Sequence, residues 1–256
     1  MRLLERPEAG TLCRITLPAD GAAFRILLNC LEIAASPEAL LLDLDGVLAD
    51  VSGSYRAAII ATASSFGVEL DASAITRAKS AGDANNDWEL TRRLLNEQSV
   101  DVPLPEVIAA FQRVYLGRDG AAGLRETERL IVSPEFVERL RARLPLAIVT
   151  GRPRAEAEWF LERAGIRGCF DTLVAMEDAP PKPSPDPVRI ALERLGVRRA
   201  WMVGDTPDDA LAARRAGVVP IGVLAPVDGA TPGDALERAG VARILNHLAE
   251  LEDLLP

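Results

Sequence analysis

Histidine, lysine and cysteine are all scarce in this chain of 256 residues. The one histidine, His247, lies in a C-terminal apolar stretch, where we expect a helix surface rather than catalysis or metal binding. Cys13, Cys30 and Cys169 are widely spaced and odd in number. This pattern indicates neither a disulfide framework nor a zinc site, and it favours a reducing cytoplasm.

Long apolar runs and basic tracts are missing as well. No run approaches the roughly 18 residues of a membrane span, and the N-terminus lacks the basic and then apolar pattern of a signal peptide. The formal net charge is −9, so we expect neither nucleic acid nor a membrane as a partner. For the assembly we expect a monomer or a homodimer.

Only two of the 29 basic residues are lysines, Lys79 and Lys182. In a chain that otherwise uses arginine, this choice suggests that a compact ammonium group is needed at both positions. An acidic protein that handles phosphate also has to gather positive charge locally, through a metal ion or a few placed side chains. The two lysines are therefore candidates for such a role.

An unbroken apolar run, residues 39–42, is followed directly by Asp43, Asp45 and Gly46. Such a run is typical of a strand buried on both faces, and ligands bind at the carboxyl ends of strands in open α/β sheets. Two residues apart in an extended chain, Asp43 and Asp45 point the same way, so their repulsion calls for a cation, a shared proton or solvent. An ordinary Asp-Gly turn is the alternative.

The segment that follows the first acidic strand predicts helices and no strand. Apolar spacing and caps indicate helices over 55–66, 73–79, 88–95 and 106–115. We interpret residues 54–131 as a helical cap inserted into an α/β core made of residues 37–53 and 132–256, with residues 1–36 as an N-terminal strand and helix. The loop 80–87 is rich in turn formers, and it either starts the next helix or contacts substrate.

From residue 133 onward, predicted strands and helices alternate, which indicates a parallel sheet. Further polar groups follow its strands, namely Thr150, Asp205 and Asp209, and Lys182 lies in a loop after a short strand. Because the ends of parallel strands share one edge, we expect these groups near Asp43. Carboxylate oxygens in such numbers suit Mg²⁺, and the site is then one for phosphate. Each group alone also fits an ordinary turn or helix start.

The polar groups occur in the order and context of four known motifs. The sequence resembles the haloacid dehalogenase-like superfamily of hydrolases through Asp43-Leu44-Asp45-Gly46-Val47-Leu48, Thr150, Lys182 and Gly204-Asp205-Thr206-Pro207-Asp208-Asp209. The match spans residues 39 to about 224. It implies a Rossmann-like three-layer α/β core with a central parallel sheet and an inserted α-helical cap.

The resemblance also implies a role for each matched residue. Asp43 would be the nucleophile that forms an aspartyl-phosphate, and Asp45 would protonate the leaving alcohol and later activate water. Thr150, together with the amide of Gly151, would bind a phosphoryl oxygen, and Lys182 would neutralise charge. The Mg²⁺ ligands would be Asp43, the Asp45 carbonyl, Asp205 and Asp209, the last acting directly or through water, while Asp208 would cap a helix.

Substrate contacts are expected from Gly151, Arg152, Asn86 and Trp88. Arg152 either meets an acidic group of the substrate or pairs with Glu156 on the surface, and we expect the pairing. Trp88 fits either a helix core or a platform for substrate. Asn86 fits a helix cap equally well.

The leading hypothesis is an Mg²⁺-dependent phosphatase of a small phosphorylated metabolite. Members of the resembled superfamily that cleave carbon–halogen bonds lack the second acid of the first motif, because they need no proton donor there. The presence of Asp45 therefore implies phosphoryl transfer. A phosphomutase shares the same residues and remains an alternative. A non-catalytic interaction protein on this fold is the other, and it has no need of both Asp43 and Asp45.

Residues 11–36 carry a second, weak resemblance, to the last strand and helix of the small domain in histidinol-phosphate-type aminotransferases. Arg14 matches an arginine that holds the substrate's acidic group in that family. The aminotransferase large domain and its cofactor lysine are absent from this sequence, so we exclude transamination. The segment is either a relic of such a domain or a packing extension of the core. Together with the loop Asn85-Asn86-Asp87-Trp88, it resembles a branch of these hydrolases sometimes joined to histidinol-phosphate aminotransferase. This resemblance implies histidinol phosphate as the substrate.

Overall fold

The computed structural model describes residues 2–6, 10–14, 18, 20–82, 84–118, 120–225 and 233–255. The strands of these residues are β1 (Arg2–Arg6), β2 (Gly10–Arg14), β3 (Ala39–Leu42), β4 (Ala49–Asp50), β5 (Arg129–Leu130), β6 (Leu146–Val149), β7 (Thr172–Val174), β8 (Ala200–Gly204), β9 (Val219–Val223) and β10 (Arg243–Leu245). Six of them form a parallel sheet in the order β10-β9-β8-β3-β6-β7. Strand β1 pairs with β2 and β4 with β5, both antiparallel.

Strand β3 is central because both of its faces are apolar. Leu40 and Leu42 belong to one hydrophobic cluster of the core, whereas Ala39 and Leu41 belong to another, and all four are fully buried. Burial of one leucine side chain contributes about 1.5–3 kcal/mol. The predicted strand over residues 39–42 is therefore confirmed, and it gives the residues after it a rigid support.

The neighbours of β3 in the sheet come from two different parts of the chain. Strands β6 and β7 follow on one side of it, and β8, β9 and β10 follow on the other. The strand order thus reverses at β3, and open α/β sheets bind their ligands in the crevice at such a reversal. The ends of β3, β6 and β8 meet there.

Helices cover both faces of the sheet. The helices of the described residues are α1 (Gly21–Ala35), α2 (Ala57–Ser65), α3 (Ala72–Ala81), α4 (Asp87–Glu97), α5 (Leu104–Leu116), α6 (Pro134–Arg143), α7 (Arg154–Arg163), α8 (Asp186–Leu195), α9 (Pro207–Ala216), α10 (Gly233–Ala239) and α11 (Leu251–Leu254). Side chains of α6 and α7 pack into the cluster that contains Leu40, and those of α8 and α9 pack into the cluster that contains Leu41. The three-layer α/β fold is therefore confirmed. None of the described helices has the length and apolar character needed to cross a membrane.

The helices α2 to α5 lie between β4 and β5 in the chain. We call residues 52–116 the helical insert; it opens with a π-helical turn, Ser52–Arg56. Helix α2 packs against α4 and α5, and Ala63, Leu95 and Val107 contribute to an apolar cluster of the insert itself. Aromatic side chains near the end of α5 reach the main core instead. The insert is thus packed both internally and against the sheet domain.

Several elements differ from the sequence prediction. Residues 54–131 contain a strand, β5, which pairs with β4, the strand that precedes the insert. This strand was not predicted because its two residues are too few to show an alternating pattern. Helix α10 was not predicted either. The strand predicted within residues 1–36 from the alternation of residues 11–17 is observed as Gly10–Arg14, and residues 15–17 lie outside the described part. It pairs with an unpredicted β1 in a sheet separate from the central one.

Candidate functional site

The crevice at the centre of the sheet collects the polar groups that follow β3, β6 and β8. The amide of Asp43 donates to the carbonyl of Val203 at 2.9 Å, and the amide of Thr150 donates to that of Val174 at 3.0 Å. Both bonds continue the pairing of the sheet strands. The first of them places Asp43 beside the end of β8, which Asp205 follows directly. A cavity of about 40 Å³ is lined there by Asp43, Asp45, Gly46, Gly151, Asp205 and residues of the insert.

Three carboxylates of this crevice are close together and buried. Asp43, Asp205 and Asp209 each offer an oxygen within 4.8 Å of the others. Burial raises the pKa of Asp43 to about 7; Lys182 opposes this rise, and Asp209 and Asp45 add to it. Burial, with Asp209 and Asp43, raises the pKa of Asp205 well above its ordinary value. Such a group binds protons or a divalent cation, and hard oxygen donors fit Mg²⁺.

Lys182 neutralises two of these carboxylates directly. Its ammonium lies 2.9 Å from Asp43 Oδ1 and 2.5 Å from Asp209 Oδ1, and it donates to the carbonyl of Val149 at 3.0 Å. Burial alone would lower the pKa of Lys182, but the two carboxylates raise it above the ordinary lysine value. All three N–H donors are thus engaged, which fixes a positive charge beside Asp43.

Thr206, rather than Asp208, caps helix α9. Asp209 Oδ2 accepts from the Thr206 amide at 3.1 Å and from its hydroxyl at 2.6 Å, which completes a capping box. The expectation that Asp208 caps this helix is wrong. Its buried carboxylate instead accepts from the amide of Ala84 at 3.1 Å, because Gly82 and Ala84 of the insert lie against it. Asp208 therefore joins the core to the helical insert.

Gly46 gives the Asp205 carboxylate its room. Its φ is +74°, and a Cβ placed there would lie 2.2 Å from Asp205 Oδ2. The glycine is needed both for the left-handed backbone and for this close approach.

We expect Gly46→Ala to lower activity by about 10²-fold, the cost of a catalytic group displaced by an ångström. The strained backbone should also cost about 1–2 kcal/mol of stability. Gly67→Ala is the matched control, because Gly67 has a φ of +79° and nothing within 4 Å of the added Cβ. It should lose similar backbone stability in denaturant unfolding and keep full turnover. Equal activity in the two variants would contradict the role of Gly46.

The loop 80–87 of the insert rests on Gly151. A Cβ at Gly151 would lie 2.2 Å from Asn85 Oδ1 and 2.4 Å from the Asn85 carbonyl. Asn86 caps α4, with Oδ1 accepting from the amides of Trp88 at 3.0 Å and Glu89 at 3.3 Å. Asn86 and its neighbour also line the cavities beside Thr150 and Lys182. The loop therefore both starts the helix and faces the crevice.

Trp88 lies at the border between core and cavity. Its side chain is half-buried and packs against the main apolar cluster. It also lines a small cavity that contains Asp45 and Gly151. Both interpretations of this tryptophan are compatible with this position.

Arg152 does not pair with Glu156 on the surface, so that expectation is wrong. The residue precedes α7, and its side chain enters the core, where it is 1% exposed. It pairs with Asp45 and Glu128. Glu156 instead accepts hydrogen bonds from Tyr55 and from Gln112. Both acids that hold Arg152 come from elements distant in sequence.

Residues of the helical insert also line the crevice. Asn85, Arg56 and Lys79 line the same cavity as Asp43, and Lys79 pairs with Asp87 at 2.9 Å. The scarcity of lysine pointed to both Lys79 and Lys182, and both lie against these cavities. An open groove of about 840 Å³ continues from Lys182 along α4.

Comparison with known proteins agrees with this arrangement. The family model of the haloacid dehalogenase-like hydrolases matches residues 37–217, so the chain belongs to that family. A hydrolase from Pseudomonas syringae has the same fold, with a TM-score of 0.66, 23% identity and coverage of 84% of this chain and 96% of that one.

Two curated relatives match parts of the chain. An imidazoleglycerol-phosphate dehydratase of Phytophthora nicotianae is 46% identical over 241 residues, which cover 87% of this chain and 53% of that protein. The pyrophosphatase PpaX of Bacillus velezensis is 40% identical over 114 residues, 43% of this chain and 53% of that protein. The chain therefore spans about half the length of these relatives.

Proposed function

We propose that the protein is an Mg²⁺-dependent phosphatase that acts on a small phosphorylated metabolite through an aspartyl-phosphate. The observation that carries the proposal is the buried cluster of Asp43, Asp205 and Asp209, with the Lys182 ammonium fixed against it. Membership in a hydrolase family and the name of the pyrophosphatase relative support phosphoryl transfer.

In this proposal Asp43 is the nucleophile that attacks phosphorus. A bond forms between a carboxylate oxygen and phosphorus while the bond to the leaving alkoxide breaks, which splits hydrolysis into two steps. Asp45 gives its proton to the leaving oxygen and takes one from the water that cleaves the aspartyl-phosphate. Its side chain lines the same cavity as Asp43 and is 22% exposed, so substrate and water can reach it.

The other polar groups hold the phosphoryl oxygens. The Thr150 hydroxyl accepts a hydrogen bond from the Arg152 amide at 3.2 Å, which leaves its own proton to donate to a phosphoryl oxygen. The Gly151 amide and Lys182 act on the same charge. Asp43, the Asp45 carbonyl and Asp205 would hold Mg²⁺, with Asp209 beside them; when bound, the ion would neutralise charge on the transferring group.

We further propose histidinol phosphate as the substrate. The closely similar Phytophthora protein is named for imidazoleglycerol phosphate, and both compounds are phosphomonoesters that carry an imidazole ring. That name concerns a protein about twice as long as the alignment, so we infer the ligand class and not the dehydration. The groove along α4 carries Glu97 and also Glu89, which pairs with Arg92 at 3.0 Å. A carboxylate there accepts hydrogen bonds from an ammonium group or a ring N–H.

A panel of phosphomonoesters tests both the phosphatase activity and the identity of the substrate. We expect turnover that requires Mg²⁺ and stops with a chelator, with histidinol phosphate giving a higher kcat/KM than phosphoglycolate or simple alkyl phosphates. Phosphate release measured with and without the ion gives the result directly. Asp205→Asn should lower the affinity for Mg²⁺ and turnover together.

Different results would contradict the magnesium site, the substrate and the phosphatase activity. Mg²⁺ should raise the melting temperature of the wild type, without substrate, more than that of Asp205→Asn, because only a folded site binds the ion. Turnover that ignores histidinol phosphate would remove this substrate and keep the phosphatase. Turnover that depends on a bisphosphate primer would instead establish a mutase.

A further inference from the structure

The side chain of Asp45 is held by a buried arginine. Arg152 Nε donates to Asp45 Oδ1 at 2.6 Å, and the Arg152 side chain is 0% exposed. Asp45 keeps its exposed fraction on the side of the cavity. The arginine therefore fixes one oxygen of the carboxylate from behind, while the carboxylate still meets the space next to Asp43.

Arg152 is itself fixed from three directions. Its guanidinium lies 4.7 Å from the centre of the Tyr55 ring and 5.4 Å from that of Phe160, so two rings set its plane. Its Nη1 donates to Glu128 Oε2 at 2.9 Å. A planar guanidinium that lies against two rings and is hydrogen-bonded through Nε and Nη1 has little freedom to rotate.

Glu128 connects this arginine to the helical insert. Its Oε1 accepts from the Ser54 hydroxyl at 2.8 Å, in the π-helical turn that opens the insert. It also accepts from the Tyr115 hydroxyl at 3.1 Å, at the end of α5. Both ends of the insert thus contact one buried carboxylate, whose position sets that of Arg152.

We propose that Arg152 is a positioning residue for Asp45, and that Glu128 transmits the seating of the helical insert to this proton donor. The inference rests on the proposed phosphatase function and adds the control of one step. As the bond from phosphorus to the leaving oxygen breaks, the proton of Asp45 moves to that oxygen. Arg152 keeps the carboxylate within reach of it and is not itself consumed.

This role predicts a dependence on the leaving group. An alkyl alkoxide is a strong base and needs the proton during bond breaking, whereas nitrophenolate is stable without it. A displaced Asp45 should therefore harm alkyl phosphates far more than nitrophenyl phosphate. A general loss of packing would harm both esters alike.

We expect Arg152→Lys to lower kcat/KM for an alkyl phosphate by about 10²-fold or more, and that for nitrophenyl phosphate by less than about tenfold. A lysine cannot reach Asp45 and Glu128 with one planar group. Glu128→Gln, which keeps the residues Asp45 and Arg152 but weakens the contact that fixes Arg152, should shift the ratio in the same direction by a smaller factor. The parameter kcat/KM is chosen because it reports the transfer to Asp43 and not the later hydrolysis.

Arg154→Lys is the control, because Arg154 begins α7, is 37% exposed and pairs with Asp178 rather than with Asp45 or Glu128. Its ratio between the two esters should match that of the wild type. Equal losses on both esters in Arg152→Lys and Glu128→Gln, in folded protein, would overturn the positioning role. A wild type that hydrolyses no ester at all would instead refute the proposed function.

Discussion

Replacing Asp43 with asparagine should lower phosphate release by at least about 10⁴-fold, the scale expected when the nucleophile of a catalytic unit is removed. Asparagine has nearly the same shape, but its amide cannot form the acyl-phosphate that divides the reaction into two steps. The measurement is steady-state turnover with Mg²⁺. Acid quenching with radiolabelled substrate should label the wild type and leave Asp43→Asn unlabelled.

The fold should survive this change. Burial raises the pKa of Asp43 from 3.8 to about 7, so between these values the metal-free folded protein binds a proton that the unfolded chain releases. Through this group the free energy of unfolding falls as the pH rises across that window. Asp43→Asn removes this part of the decline. At pH 8 with a chelator, the variant should be at least as stable as the wild type.

The stability of Asp43→Asn distinguishes loss of the nucleophile from loss of the fold. A folded Asp43→Asn variant with turnover within tenfold of the wild type would exclude Asp43 as the nucleophile. A variant that is inactive because it is unfolded would show a lower melting temperature, which is the opposite of the expected shift.

The meeting of the core motifs could be predicted because it follows from sheet geometry. The apolar runs at residues 39–42 and 146–149 are followed directly by Asp43 and Thr150, and the run at 200–203 is followed by Gly204 and then Asp205. Parallel strands bring such ends to one edge. The order of strands in the sheet was not needed for this argument. The same patterns predicted the fold class, which the structure confirms.

The contacts across the domain boundary could not be predicted. Asp208 bonds to Ala84, 124 residues away, and Arg152 bonds to Asp45, 107 residues away. Each of these residues has an ordinary local explanation, a first-turn acid or a polar residue before a helix. Only packing in three dimensions decides that Arg152 turns inward, where Tyr55 and Phe160 enclose it.

The scarcity of lysine indicated one of the insert residues that line the crevice. Lysine is rare in this chain, and Lys79 lies against the crevice as Lys182 does. No comparable signal marked Glu128, because the sequence is rich in glutamate and its burial depends on the insert. Composition thus indicates where a rare group is needed, but it does not select among common ones.

Replacing Lys182 with methionine should destabilise the protein by about 3–5 kcal/mol, because removing one partner leaves buried carboxylates uncompensated. The ammonium of Lys182, which is 2% exposed, separates Asp43 from Asp209 and also satisfies the Val149 carbonyl. Activity should also fall, by about 10²–10³-fold, the usual cost of one preorganised donor. Urea unfolding and steady-state turnover measure the two effects.

The pH dependence identifies electrostatics as the cause of this loss. Without the ammonium, Asp43 and Asp209 repel each other while both are ionised, so the difference from the wild type should be largest at pH 8. It should shrink towards pH 5, where a protonated carboxyl needs no counter-charge. Arg139→Met is the control for removing a basic group, since Arg139 is 56% exposed and pairs with Glu252 at the surface. That pair should contribute no more than about 1 kcal/mol at either pH. A Lys182→Met variant as stable as this control at pH 8 would show that Lys182 does not hold the carboxylate cluster together.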